Sequence, residues 1–179
     1  MVVDPGDTHP QGNPPETEDH LFNPAQLTAV KELAPNNFWK VLNSVSGNTL
    51  KEIFGKTLQA QRSGCAVDEG TGSASLGCLL PARRPEIFIN SWGNLRAKIY
   101  DGTFDIDLSV TDLRFYKGDE HRLQGRVAAD VQRRIKKGVG VIISVGLAQA
   151  FVARGDTTRR HWLQVNNIHL EDDPTWQAQ

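Results

Sequence analysis

The segment from Leu95 to Leu108, LRAKIYDGTFDIDL, constrains the fold more than any other part of the chain. Apolar and polar residues alternate up to an Asp-Gly pair and resume alternating after it. Asp101-Gly102 is a favoured pair for a two-residue type I′ turn, so the stretch reads as a β-hairpin. With that turn Tyr100 faces Thr103, Ile99 faces Phe104, Lys98 faces Asp105 and Arg96 faces Asp107. Leu95, Ala97, Ile99, Phe104, Ile106 and Leu108 then share one face. The other carries two cross-strand charge pairs, each contributing about 0.2–1 kcal/mol. A one-residue slip would turn those charges into the core, so the faces are strongly specified.

The flanks supply the partners such a hairpin needs. SLGCLL (Ser75–Leu80) and EIFIN (Glu86–Asn90), separated by Pro81 and Pro85, read as a first strand or a kinked pair of strands. Leu123, Val127, Val131 and Ile135 recur every fourth residue, which predicts a helix over His121–Lys137 closed by Gly138. GVIISVGLAQAF (Gly140–Phe151) reads as a largely apolar strand, buried on both sides or central. Trp162–Leu170 alternates but changes phase across Asn166-Asn167, as a bulge or a bend would require. Residues 62–74, rich in Gly and Ser, read as a loop.

Strand, strand, strand, helix, strand, strand is the order of a five-stranded Greek-key barrel of OB type, with the helix between strands three and four. An open α+β sheet is the competing topology. The chain then divides into an acidic, disordered tail (1–20), a short helical segment packed on the barrel (21–60) and the OB-like barrel (61–179). Within the middle segment helices are expected after Asn23-Pro24, over Asn37–Leu42 and over Asn48–Phe54, the last stopping at Gly55.

Charge narrows the functional classes. Residues 1–20 hold Asp4, Asp7, Glu16, Glu18 and Asp19 and no Lys or Arg. Removing those 5 acids from 21 leaves 16 against 20 basic residues, or +4. That is too little to coat nucleic acid by charge alone. No apolar run is long enough to cross a bilayer and no basic-then-apolar leader opens the chain, so a cytoplasmic protein without membrane contact is expected. Cys65 and Cys78, with no CxxC spacing, then read as reduced thiols.

Catalytic signatures are lacking. EGTGSASLG (Glu69–Gly77) has neither the Gly-Lys-Ser/Thr of a phosphate loop nor a GxGxxG. There is no GxSxG elbow and no HExxH, and the histidines are scattered. No catalytic residue, metal ligand or cofactor is assigned, and the chain is read as a non-enzyme.

An OB barrel grips ligands across strands two and three with the loops joining strands one to two and four to five. Here those loops are NSWGN, with Trp92, and VARGDTTRRH, with Arg154, Arg159 and Arg160, followed by Trp162. Guanidinium groups neutralise phosphates and indoles stack bases, so these five residues form the candidate nucleic-acid site and single-stranded DNA or RNA is the expected ligand. The competing reading makes the tryptophans caps of the barrel and the arginines solvated charges. Arg96, Lys98, Asp105 and Asp107 on the hairpin nearly cancel, which weighs against a uniformly positive face. The alternative function is a protein-interaction module that docks a partner through the N-terminal helices, with Phe38, Trp39, Phe54 and Trp176 as exposed anchors.

YDGTFDIDLSVTD, GVIISVGLAQAF and HWLQVNNIHLEDDPTW together resemble the C-terminal half of bacterial proteins described as dual OB-containing. The matching stretches are Ser109–Asp112, Ser144–Leu147 and Trp162–Ile168, and LKEIFGK and SASLGCLL look similar to the connecting region. The resemblance spans about residues 37–176. It implies two OB-like units, of which this chain carries one, and it supplies no catalytic residues.

Overall fold

The computed structural model describes residues 14–15, 33–61, 64–103, 105–118 and 122–176. The expected disordered tail lies outside them except for Pro14 and Pro15, as does the helix expected after Asn23-Pro24 up to residue 32. In chain order the elements are α1 (Pro35–Val45), β1 (Ser46–Gly47), α2 (Leu50–Phe54), β2 (Gln59–Gln61), β3 (Gly64–Asp68), β4 (Leu76–Leu79), β5 (Glu86–Ile89), β6 (Leu95–Tyr100) and β7 (Asp105–Ser109). Then follow β8 (Tyr116–Lys117), β9 (Arg122–Leu123), α3 (Gly125–Lys136), β10 (Val141–Leu147), β11 (Phe151–Val152) and β12 (Arg159–Leu170).

The described residues are mainly β, with a curled, half-barrel sheet and three α-helices among them. One sheet runs β1-β4-β10-β12-β3-β2, with β11 also on β12; a second is the meander β5-β6-β7. A parallel bridge between Val110 and Val165, and the bond from Thr111 N–H to Val165 O at 2.8 Å, join the end of β7 to β12. α3 crosses over between β7 and β10 and packs on β5.

The core fills the space these sheets enclose. Leu95, Ala97, Ile99, Ile106 and Leu108 enter from the hairpin, and Ile143, Val145, Val165 and Ile168 from β10 and β12. Val131 and Ile135 of α3 and Leu50 and Phe54 of α2 close it. α2 begins with Thr49, whose hydroxyl accepts the Glu52 N–H at 3.1 Å, and ends at Gly55 with φ +74°.

Three expectations need correction. The hairpin register is displaced by two residues. Ile99 lies opposite Ile106, Lys98 opposite Asp107 and Arg96 opposite Ser109. Phe104 lies outside the described residues. The loop is longer because the Asp101 carboxylate accepts the Thr103 N–H at 2.9 Å and the Leu50 N–H at 3.3 Å. The shift is even, so the described side chains of the two strands keep their faces; the Arg96–Asp107 ion pair survives as a diagonal contact of 2.8 Å.

Secondly, residues 62–74 are not all loop. Gly64–Asp68 form β3, whose Cys65, Ala66 and Val67 are buried between β2 and β12. Thirdly, α3 starts at Gly125, because Arg122 and Leu123 pair with Lys117 and Tyr116 as β9 on β8. The bulge lies where the change of phase places it. Ser144 pairs with Asn167 and Val145 with Val165, leaving Asn166 as the extra residue.

Candidate functional site

Asn90 builds the loop that carries Trp92. Its Oδ1 accepts the backbone N–H of Trp92 at 3.0 Å and of Asn94 at 2.9 Å, and Gly93 turns the chain at φ +80°. This rigid turn leaves the Trp92 side chain free, and the residue is 83 % exposed. An indole this exposed is not packed as a cap on the barrel.

Beside it lies a groove of about 570 Å³ on the outer face of the β6–β7 hairpin. Arg96, Asp105 and Asp107 line it together with Asn90, Asn94, Gln61 and Gly64. Gly64 sits close to the Leu108 side chain and the Asp107 carbonyl, and so brings the β2–β3 hairpin against β7. Arg96 donates to Asp107 and, at 2.6 Å, to the Ser109 hydroxyl, so its charge is already matched. One guanidinium against two carboxylates leaves this surface at −1.

The second expected loop is elsewhere. Arg154, Arg159, Arg160 and Trp162 do not line the groove. Arg160 and Trp162 sit opposite Asp68 and Ala66 of β3. Arg159 pairs with Glu69 at 3.0 Å and donates to the Ala150 carbonyl. Arg160, only 16 % exposed at its side chain, bridges Asp68 at 2.8 Å and Asp156. The Asp156 carboxyl is held below its ordinary range by the N–H groups of Thr158 and Thr157 and by Arg160. Trp162 is half-buried with its ring 6.2 Å from that of Phe151. Arg154 is exposed. Phe54 and Trp176, expected as exposed anchors, are core residues instead.

The residues that sequence reasoning missed are Asn90, Asn94, Gln61 and Gly64. The two asparagines bracketing NSWGN were a usable signal, since Asn folds its side chain back on turn backbone.

A serine–histidine contact also exists. Ser144 Oγ lies 3.0 Å from His169 Nε2, and His169 Nδ1 lies 3.1 Å from the Pro174 carbonyl. A carbonyl only accepts, so Nδ1 carries the proton and Nε2 accepts from Ser144. The ring is 8 % exposed beneath Phe38, at 5.5 Å edge to face, and its pKa is lowered chiefly by burial. This arrangement ties β10, β12 and α1 together. Among the described residues no group of three or more His, Cys, Asp or Glu is placed to hold a metal ion, and no helix is long and apolar enough to cross a membrane.

Comparison with protein-family models, curated proteins and solved structures finds no match.

Proposed function

We propose that the chain is a non-enzymatic binding module of OB type that takes a single strand of nucleic acid in the groove beside Trp92. The strand pairing supports the architectural part. β4 pairs with β10 and β5 with β6, as the two halves of one bent first strand would. β6–β7, the bridge to β12, the β12–β10 pairing and α3 between β7 and β10 follow the OB order. The likeness to dual OB-containing proteins belongs to the same proposal.

The observation that carries the ligand is Trp92. OB-type modules hold single strands on aromatic platforms, each stacked base contributing about 1–3 kcal/mol. The ion-paired state of Arg159 and Arg160 makes stacking, not charge, the main attraction. Partner docking through the N-terminal helices is the weaker reading, because two of its four anchors are in the core. Fluorescence anisotropy with a labelled DNA or RNA strand of about 12 nucleotides tests the proposal. Binding at low salt that is lost in Trp92→Ala is expected; no binding at low salt overturns it.

A further inference from the structure

A second surface lies on the far edge of the meander. β5 pairs with β6 and has no strand on its other side among the described residues. The Ile87 N–H on that edge is met instead by the side-chain Oε1 of Gln132 from α3. A side-chain amide thus occupies the place where a neighbouring strand would put a carbonyl. Unprotected edges recruit strands, and proteins ordinarily cover or charge them.

The gap between β5 and α3 is a groove of about 530 Å³. Small residues on α3, Gly125, Ala128 and Ala129, keep the helix surface low there. Ile89, 44 % exposed, lies at the Gly125 end. The other end is basic: Arg133, Lys136 and Lys137 line it, and Arg84 reaches it by donating to the Lys136 carbonyl at 3.3 Å. Asp130 answers Arg133, and Asp172 answers Arg134 on the same helix. Glu86 on β5 stands opposite Lys98. Lys136, Lys137 and Arg84 therefore leave an excess of positive charge beside an apolar slot.

We propose that this groove docks an extended acidic peptide, which adds to β5 as a strand by displacing Gln132 from Ile87. Main-chain bonds to an exposed sheet edge supply affinity in this mode, and pockets for alternate side chains supply selectivity. Apolar side chains of the peptide enter the slot between Ile87, Ile89 and Ala128. Its carboxylates meet Lys136, Lys137 and Arg84. The proposal is independent of the nucleic-acid reading, since β5 and α3 contribute nothing to the Trp92 groove.

The probe is a labelled synthetic peptide alternating valine and glutamate, titrated by anisotropy and by amide chemical shifts. Binding with shifts centred on Ile87 and Ile89 is expected. The same peptide with N-methylated valine amides should bind at least about tenfold more weakly, since it cannot donate to the edge. The exposed-site variant Lys136→Glu/Lys137→Glu should weaken binding by a similar factor, and a valine–lysine peptide should not bind the native protein. Gln132→Ala should tighten binding by unplugging the edge. Tighter binding to a chain lacking residues 1–20 would show that the acidic N-terminal segment competes for the same groove, which supports the site. Equal binding of the N-methylated peptide, no binding at all, or self-association through β5 that excludes the peptide would overturn it.

Discussion

The guanidinium of Arg114 lies 4.2 Å above the ring of Trp176. The same group donates from Nε and Nη2 to Asp112 at 2.9 and 2.6 Å, and from Nη2 to the Ile168 carbonyl at 3.0 Å. Asp112 also accepts the Ile168 N–H at 3.0 Å, and the Trp176 indole donates to the Ile168 carbonyl at 2.7 Å. One carboxylate thus ties the end of the hairpin to β12 and to the segment after it. Removing one partner of a buried ion pair leaves the other unmatched, so Asp112→Ala should cost about 3–5 kcal/mol in urea unfolding. A loss under about 1 kcal/mol would show that the network is dispensable.

His169 makes stability depend on pH. Burial, with Arg114 adding to it, lowers the ring's pKa below its ordinary 6.5. The unfolded chain therefore takes up this proton at a higher pH than the folded one. The stabilisation is whole above pH 6.5 and is lost as the pH falls from there through the folded value. Chemical denaturation between pH 8 and pH 5 should show this decline, with a shallower slope in His169→Gln.

Trp92→Ala should leave the melting temperature unchanged, because the side chain packs on little. Its affinity for a single strand should fall by about 5- to 150-fold, the equivalent of one stacked base. Arg159→Ala/Arg160→Ala should change affinity less. The slope of log K against log salt should be shallow, near −0.7 for each phosphate neutralised and corresponding to about one or two of them. A steep slope would move the site to the arginine loop.

The two thiols, both free, should differ in reactivity. Cys65 is buried, and burial together with Asp101 raises its pKa to about 11. Cys78 is half-buried, 3.7 Å from the Ser144 hydroxyl. Iodoacetamide at neutral pH should label Cys78 in the native protein and Cys65 only after unfolding, as read by mass spectrometry. Native labelling of Cys65 would mean that β3 opens readily.

Gly146 faces the bulge. A Cβ there would run into the Asn166 side-chain amide and come within 2.9 Å of Leu76. Gly146→Ala should therefore be destabilising by about 1–3 kcal/mol in urea unfolding, and Asn166→Gly should recover part of the loss. Full stability in Gly146→Ala would mean that the bulge relaxes freely.

How far the fold could be read ahead depended on whether each signal was local. α3 followed from its four-residue spacing, and the bulge from the change of phase at Asn166-Asn167. Leu95, Ala97, Ile99, Ile106 and Leu108 lie on the inner face as expected although the register does not hold, because the loop grew by an even number. The register itself depends on the Leu50 N–H, 51 positions from Asp101, and no local rule reports that. β3 was hidden for a similar reason. Gly64-Cys65-Ala66-Val67 is short and flanked by turn residues, and it becomes a strand only because β12 and β2 are there to pair with it. The groove inherits that blindness, since Gln61 and Gly64 reach Trp92 through the same pairing, whereas Trp92 itself was visible as a lone indole in a turn.

β12 gives the chain a constraint in time as well as in space. Its Arg159–Leu170 backbone supplies partners to β3, β10 and β11 and the bridge that fastens the hairpin. During synthesis at about 5–20 residues per second, everything upstream must wait for this strand to leave the ribosome before the two sheets can join. Until then the apolar side of the meander lacks the cover that Val165 and Ile168 of β12 supply, and a nascent chain stalled before Arg159 leaves that face more open to chaperones and proteases.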